Sequence, residues 1–203
     1  MELPSEAEFT KATADLIPYV RSMRYTPDGR PTYFEVTNAL ALRLFEAHRV
    51  DYGVIETGLG GRYDSTNTVR RLDKLAVITR LGLDHTEILG NTLEEIAWQK
   101  AGIIPYGGTV IALRPEQDSV RAVLEEVAYG RQSQIIWSEP LKHVSLQSRT
   151  ETGVEFSYRG EPMETRTPGD YQIENAAVAL DTVRFLTTRD GWDFSFDMAR
   201  QHS

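Results

Sequence analysis

The feature that most constrains the fold is an alternation of helical and strand patterns between residues 32 and 138. Helical spacing of apolar residues in FEVTNALALRLFEAHR is followed by the apolar run VDYGVIET. Further strand patterns in LAVITRL, GTVIAL and SQIIWS are interleaved with two more helical patterns. Such continuous apolar runs are typical of strands buried on both faces of a parallel sheet. The alternation therefore predicts an α/β fold, with a mostly parallel sheet and flanking helices.

The two ends of the chain follow different patterns. HVSLQSR, GVEFSYRG and EPMETRTPG alternate polar and apolar residues, which predicts a short antiparallel strand segment near residues 143–169. QIENAAVALDTVRFL then predicts a closing amphipathic helix. Near the start, Ser5 and Glu8 have capping-box spacing, and Pro18 is expected to kink or end that helix by about Val20.

Composition excludes several classes of protein. The 203 residues are 40% hydrophobic, enough for a folded core, and the net charge of −8 disfavours nucleic acid as the main partner. The chain has no cysteine, so disulfides and thiolate metal sites are absent, which suits a cytoplasmic protein. No apolar run is long enough for a membrane span, and the acidic, polar start is unlike a secretory signal.

Polar clusters follow two of the predicted strands. The first cluster contains Glu56 and a glycine-rich loop with Arg62 and Asp64, and the second contains Asp84 and His85. Ligands bind at the carboxyl ends of strands in open parallel sheets. If these strands are neighbours, Glu56 and His85 face one crevice and could hold Mg²⁺ or Mn²⁺. The alternative is that Glu56 caps a loop and His85 is a hydrogen-bonded loop residue.

The glycine-rich loop is not a dinucleotide-binding fingerprint. G-x-G-x-x-G would require glycine at position 63, which is Tyr63. The loop either packs its backbone closely on a ligand or metal, or is a tight turn that needs positive φ. Lys100 lies near the end of a short predicted helix, where the helix dipole alone favours a cation.

Three long motifs resemble the folylpolyglutamate synthase/dihydrofolate synthase branch of the Mur ligase family. They are TYFEVTNALAL, DYGVIETGLGGRYDSTN and GLDHTEILGNTLEEIAWQKAGII, and TPGDYQIENAAVAL resembles the adenine-side segment of that family. The resemblance implies an ADP-forming ligase that uses ATP and Mg²⁺. Such an enzyme phosphorylates a folate or dihydropteroate carboxylate, and the amine of L-glutamate then attacks the acyl phosphate.

The resemblance also assigns roles to individual residues. Glu56 and His85 match magnesium ligands, and Lys100 matches a lysine that is carbamylated in the family, so these three are the expected catalytic group. Arg62 and Asp64 match a loop near the pterin or acyl substrate. The nucleotide is expected beside Asn175 and Gln172.

The sequence departs from the family pattern in several places. Arg80 stands where the family usually has Asn, so its charge either contacts phosphate or points away, and Tyr171 stands where His is common. No G-x-x-x-x-G-K-[ST] phosphate loop is present. The expectation is that residues 1–203 are part of a central ATP-binding domain, without the P-loop segment and the C-terminal domain, and have little ligase activity alone.

Two other functions remain open on the sequence. One is a Mur-type ligase of cell-wall precursors, although the motif around His85 and its spacing to Lys100 favour the folate branch. The other is a non-catalytic remnant that binds a metal or nucleotide, or that pairs with a partner carrying the phosphate loop. The family is usually monomeric, and the motifs do not distinguish dihydrofolate synthase from folylpolyglutamate synthase.

Overall fold

A computed structural model of the protein describes residues 3–192. The chain forms two compact units. One comprises residues up to 59 with residues 63–68, and the other comprises residues 60–62 with the chain from 69 onward. None of the helices in the described part has the length and apolarity needed to cross a membrane.

The first unit contains two long helices, α1 (Glu6–Met23) and α2 (Tyr33–His48), and a short 3₁₀ turn (Ser65–Thr68). The capping box predicted at the start of α1 is confirmed, because the Ser5 side chain accepts from the Glu8 backbone and the Glu8 carboxylate accepts from Ser5. The start of α2 has an equivalent box between Thr32 and Glu35.

Pro18 does not end α1 where the sequence predicted. The helix continues to Met23, and apolar residues on both sides of the proline, Ile17 and Val20, line the groove shared with α2. A proline inside a helix costs about 3 kcal/mol when nothing compensates. Here packing against α2 involves both halves of α1, so tertiary contact outweighs the local preference.

The prediction of a strand at VDYGVIET is also wrong, because residues 50–57 form no regular secondary structure. Val54 is 94% exposed, and Tyr52 and Ile55 are also exposed. Strand formation depends on cross-strand neighbours, and no described strand pairs with this segment. An apolar pattern without ladder partners is insufficient to make a strand.

The second unit contains the predicted parallel sheet. Its strands are β1 (Leu75–Ile78), β2 (Thr109–Leu113) and β3 (Gln134–Ser138), paired in that order with Leu75 opposite Thr109 and Thr109 opposite Gln134. The α/β fold class is therefore confirmed. The helices between these strands are α3 (Thr86–Leu89), α4 (Leu93–Lys100) and α5 (Asp118–Gly130).

One face of this sheet is covered by α4 and α5. Alternate residues of the strands join residues of these helices in one buried core. The core consists of Ala76, Ile78, Ala97, Ala101, Ile104, Val110, Ala112, Val120, Leu124 and Ala128. Ile111 is fully buried but points to the opposite face, as the period of two along a strand requires.

The rest of the second unit is an antiparallel sheet and a long helix. A short helix α6 (Pro140–His143) leads into β4 (Val144–Arg149), β5 (Val154–Tyr158) and β6 (Glu161–Thr165), which confirms the antiparallel segment predicted near residues 143–169. The closing helix α7 (Asp170–Asp190) contacts β2 and β3 as well as β5 and β6.

A buried polar contact joins β5 to α7. The Tyr158 hydroxyl donates to Asp181 at 2.7 Å, and Arg159 approaches the other oxygen of Asp181 at 3.4 Å. Burial, reinforced by the hydrogen bond to Asp181, raises the pKa of Tyr158. Phe156 and Ala177 pack beside this contact, so α7 is held to the antiparallel sheet by apolar and polar contacts together.

Candidate functional site

The loop after β1 carries the predicted imidazole. His85 is at the N-cap of α3 with φ of 49°, and its backbone N–H donates to Asp84 Oδ1 at 2.8 Å. Its ring is about half exposed, with Nε2 at 3.7 Å from Asp84 Oδ2. The loop therefore presents His85 to solvent at the carboxyl end of a parallel strand, where ligands bind in folds of this class.

The glycine-rich segment 60–62 lies against the end of α4. The Arg62 backbone N–H donates to the Gln99 carbonyl at 2.9 Å, and a Cβ on Gly61 would lie 3.3 Å from the Lys100 carbonyl oxygen. A Cβ on Gly102 would lie only 2.3 Å from Arg62 Cα. The glycines therefore allow two backbones to approach closely, which brings Arg62 next to the helix end that carries Lys100.

The Arg62 side chain stacks on an aromatic ring. Its guanidinium carbon lies 3.5 Å from the centroid of the Trp98 ring, and its Nη2 donates to the Trp98 carbonyl at 3.3 Å. Trp98 is 43% exposed, so its ring does not fill the core. The ring covers the arginine instead, as is typical of cation–π pairs. Substrate binding by Arg62 stays a prediction.

Asp64 organises its own loop. Its carboxylate accepts from the backbone N–H groups of Leu59 and Thr66, both at 2.9 Å, and from the Thr66 hydroxyl. Burial opposes ionisation, but hydrogen bonds from Thr66, Leu59 and Gly58 together outweigh it and lower the pKa of Asp64. The residue is therefore an anionic support for the loop, and its predicted contact with substrate stays a prediction.

The other predicted site residues have unused polar groups. The side chains of Glu56, Lys100, Gln172 and Asn175 make no hydrogen bond or ion pair within the described part of the chain. Lys100 is the last residue of α4, as predicted, and Gln172 and Asn175 lie in the first two turns of α7. These groups are available to a ligand, whereas Asp64 is fully engaged.

Arg80 forms an ion pair with a residue of α7. Its Nε donates to Glu174 Oε2 at 2.6 Å, and its Nη2 donates to Glu174 Oε1. Arg80 follows β1 by two residues, and Glu174 lies between Gln172 and Asn175 on α7. Sequence reasoning missed Glu174, since nothing local links two residues 94 positions apart.

The donor chemistry fits a magnesium ion that retains most of its water. Among the described residues, no three His, Asp or Glu side chains group closely enough to enclose a metal. Magnesium does not need such an enclosure, since it commonly takes one or two protein ligands plus water and phosphate oxygens. The unused Glu56 carboxylate is a ligand of this kind, whereas the half-exposed His85 ring offers a nitrogen, which is a less common magnesium ligand.

A surface cleft of about 600 Å³ lies between α4 and α5 and also touches α3. Its lining combines apolar side chains such as Val123 and Trp98 with Glu94, Glu95 and Glu126. Glu95 is used by the capping box of α4, and Glu94 accepts from Ser119. None of the predicted site residues lines this cleft. The cleft and the predicted site residues of the second unit are therefore at different places.

Comparison with known proteins identifies the family. Residues 10–183 match the family model of the Mur ligase middle domain. The chain is 35% identical over 189 residues to the dihydrofolate synthase/folylpolyglutamate synthase of Bacillus subtilis, an alignment that covers 90% of this chain and 43% of that protein. The chain thus spans less than half the length of this curated relative.

Solved structures agree with this assignment. A folylpolyglutamate synthase from Thermotoga maritima is 30% identical with a TM-score of 0.80, over 98% of this chain and 45% of that one. An FPGS–AMPPCP–folate complex is 28% identical with a TM-score of 0.77, over 92% of this chain and 46% of that one. The fold of the chain is therefore that of part of a folylpolyglutamate synthase.

Proposed function

The chain belongs to the Mur ligase family, and on that premise we propose that it supplies part of the active site of an ADP-forming ligase. The reaction joins L-glutamate to a carboxylate of folate or dihydropteroate in the cytoplasm. The observation that carries the proposal is that Lys100, Gln172 and Asn175 have polar groups left unused by the fold, and that the His85 ring is about half exposed. Relatives named for this activity, and one solved with AMPPCP and folate, support the choice of substrates.

The nucleotide side of the proposed site is the start of α7. Asn175 and Gln172 offer both amide donors and acceptors, which suits the edge of an adenine ring. Tyr171, where the family commonly has His, is 54% exposed and leaves room for a different contact at that edge. These residues bind and orient ATP but take no part in bond making.

The phosphate side of the proposed site is the loop after β1 in the second unit. Glu56 and His85 would hold Mg²⁺, which neutralises phosphate charge when it is bound. The carboxylate of the folate or dihydropteroate attacks the γ-phosphorus, and ADP leaves. The glutamate amine then attacks the acyl carbon, and phosphate leaves. Positioning and charge neutralisation supply most of the rate in such reactions.

Lys100 has two possible charge states in this scheme. As an ammonium it would attract phosphate, and as a carbamate it would be an anion that stabilises a bound cation. We propose the carbamate, because the family resemblance implies it and because the resulting anion would stabilise a bound cation, whereas an ammonium would not.

The function is tested in a chimera in which residues 10–183 replace the matching segment of the Bacillus subtilis synthase. We expect glutamate-dependent release of ADP and a folate extended by one glutamate, detected by mass spectrometry. His85→Ala and Lys100→Ala should each lower turnover by about 100-fold or more. His48→Ala, an exposed histidine paired with Glu8, is the matched control. The isolated chain, which contains no phosphate loop, should show little turnover.

A folded chimera without turnover would contradict the proposal, and so would an active chimera that tolerates both substitutions. A chimera active toward dihydropteroate but not folate, or the reverse, would decide which of the two carboxylates is the substrate.

A further inference from the structure

The ion pair between Arg80 and Glu174 joins distant parts of the second unit. Two guanidinium nitrogens donate to the two carboxylate oxygens, which is the bidentate geometry that fixes orientation as well as distance. The Arg80 side chain is 62% exposed, but that of Glu174 is only 12% exposed. Without its arginine, Glu174 would be a largely buried carboxylate without a cation, which is strongly unfavourable.

A second arginine links the other end of the same helix to the other end of the same strand. Arg189 Nη1 donates to the Asp73 carbonyl at 2.8 Å, just before β1 begins. From Glu174 to Arg189 the helix rises about 22 Å. An extended chain from Asp73 to Arg80 spans about 23 Å. The two lengths agree, so α7 runs antiparallel to β1 and is linked to it near both ends.

The pair at residues 80 and 174 therefore sets how far the start of α7 reaches along β1. Gln172 and Asn175 flank Glu174 on the helix, and His85 follows Arg80 in the loop after the strand. A shift of one helical residue along the axis moves these amides by about 1.5 Å relative to that loop. Misplacement of this size is enough to weaken binding or catalysis substantially.

The Arg80 guanidinium has acidic neighbours from two segments of the fold. Besides Glu174, the carboxylate of Glu116, from the segment after β2, lies close enough to interact with the guanidinium electrostatically. Arg80 therefore has two acidic neighbours, and its charge is committed to the protein rather than to a ligand.

From this geometry we propose that Arg80 and Glu174 are a positioning pair that fixes the nucleotide-facing residues of α7 relative to the His85 loop. The inference rests on the proposed function, because it concerns where ATP is held. It assigns a role to Arg80 that replaces phosphate contact, and it gives Glu174 a role of its own.

The test compares Arg80→Ala, Arg80→Lys and the charge-reversed double variant R80E/E174R with the wild-type chain. Hydrogen exchange of residues 170–176 reports the start of α7, and calorimetric titration with MgAMPPCP reports the nucleotide site. Arg71→Ala is the matched control, since Arg71 pairs locally with Asp73 at 2.7 Å on an exposed surface.

We expect Arg80→Ala to accelerate exchange of residues 170–176 by about tenfold and to weaken MgAMPPCP binding by about tenfold. Arg80→Lys keeps the charge but cannot make the bidentate hydrogen bonds, so we expect an effect between those of wild type and Arg80→Ala. The double variant should recover part of both effects, and Arg71→Ala should change neither.

Unchanged exchange in Arg80→Ala would overturn the proposal, and so would faster exchange with nucleotide affinity equal to wild type. Those results leave the proposed function intact. A wild-type chain that binds no MgAMPPCP even at millimolar concentration would instead count against the proposed function, and the positioning role would fail with it.

Discussion

Residues 50–57 and strand β2 have similar apolar sequences but different structures. Both are short apolar runs, VDYGVIET and GTVIAL, and both were predicted to be buried strands. In β2, Val110 and Ile111 are completely buried, and the strand pairs on both sides. In the other run, Val54 is 94% exposed and no described strand is paired with it. An apolar pattern therefore becomes a strand only where it can pair with neighbouring strands and pack against a covering layer.

The largest expected effect comes from removing side-chain volume in the two regions. Ile111→Ala should lower the free energy of unfolding by about 3 kcal/mol, because it removes buried methyl groups and leaves a cavity. Val54→Ala should change it by less than about 0.5 kcal/mol, because the side chain is already exposed. Urea unfolding followed by far-UV circular dichroism measures both. Equal losses would mean that residues 50–57 are packed after all.

The glycine-rich segment extends the comparison to a loop that does have packing partners. Gly102→Ala should lower the free energy of unfolding by about 2 kcal/mol, because the new methyl would overlap the Arg62 backbone. Gly130→Ala is the control, since nothing lies within 4 Å of its Cβ position and α5 still includes it. That change should stabilise the protein by about 0.5 kcal/mol. A neutral Gly102→Ala variant would show that segment 60–62 does not rest on α4.

The smallest expected effect concerns Asp64, which supports a loop of the same unit as residues 50–57. Its pKa is lowered in the fold, so its contribution is present above the unfolded pKa of about 3.9 and is lost as the pH falls through the lower folded value. Asp64→Asn should cost about 1 kcal/mol at pH 7. The difference from wild type should shrink below about pH 4. Thermal unfolding at pH 7 and pH 3 measures this, and a difference independent of pH would contradict the assigned hydrogen bonds.

Local signals explain why much of the fold could be predicted. The capping box at Ser5 depends on residues three positions apart and is confirmed, and α4 begins with the same kind of box at Thr92. The strands of both sheets carry their period in a few adjacent residues. The predictions that failed depend on contacts between residues far apart in sequence. Pro18 is accommodated by packing against α2, and no described strand pairs with the apolar run at 50–57.

The candidate site also combines features that the sequence indicates with features that it does not. Motif positions were enough to propose His85 and Lys100 as site residues through the family resemblance, and their roles stay predictions. The same motifs did not reveal that the Asp64 carboxylate is used by its own loop or that Trp98 stacks under Arg62. The partner of Arg80 could not be inferred, because an ion pair between residues 80 and 174 depends on how α7 lies along β1.

We propose that nucleotide binds at the strand-end loop and the start of α7 rather than in the surface cleft between α4 and α5. Amide chemical shifts of the ¹⁵N-labelled chain are followed during titration with MgAMPPCP. We expect shifts concentrated at residues 80–86, Lys100 and residues 171–176. Shifts centred instead on Val123 and the glutamates of the cleft, or no shifts at all at millimolar nucleotide, would contradict it.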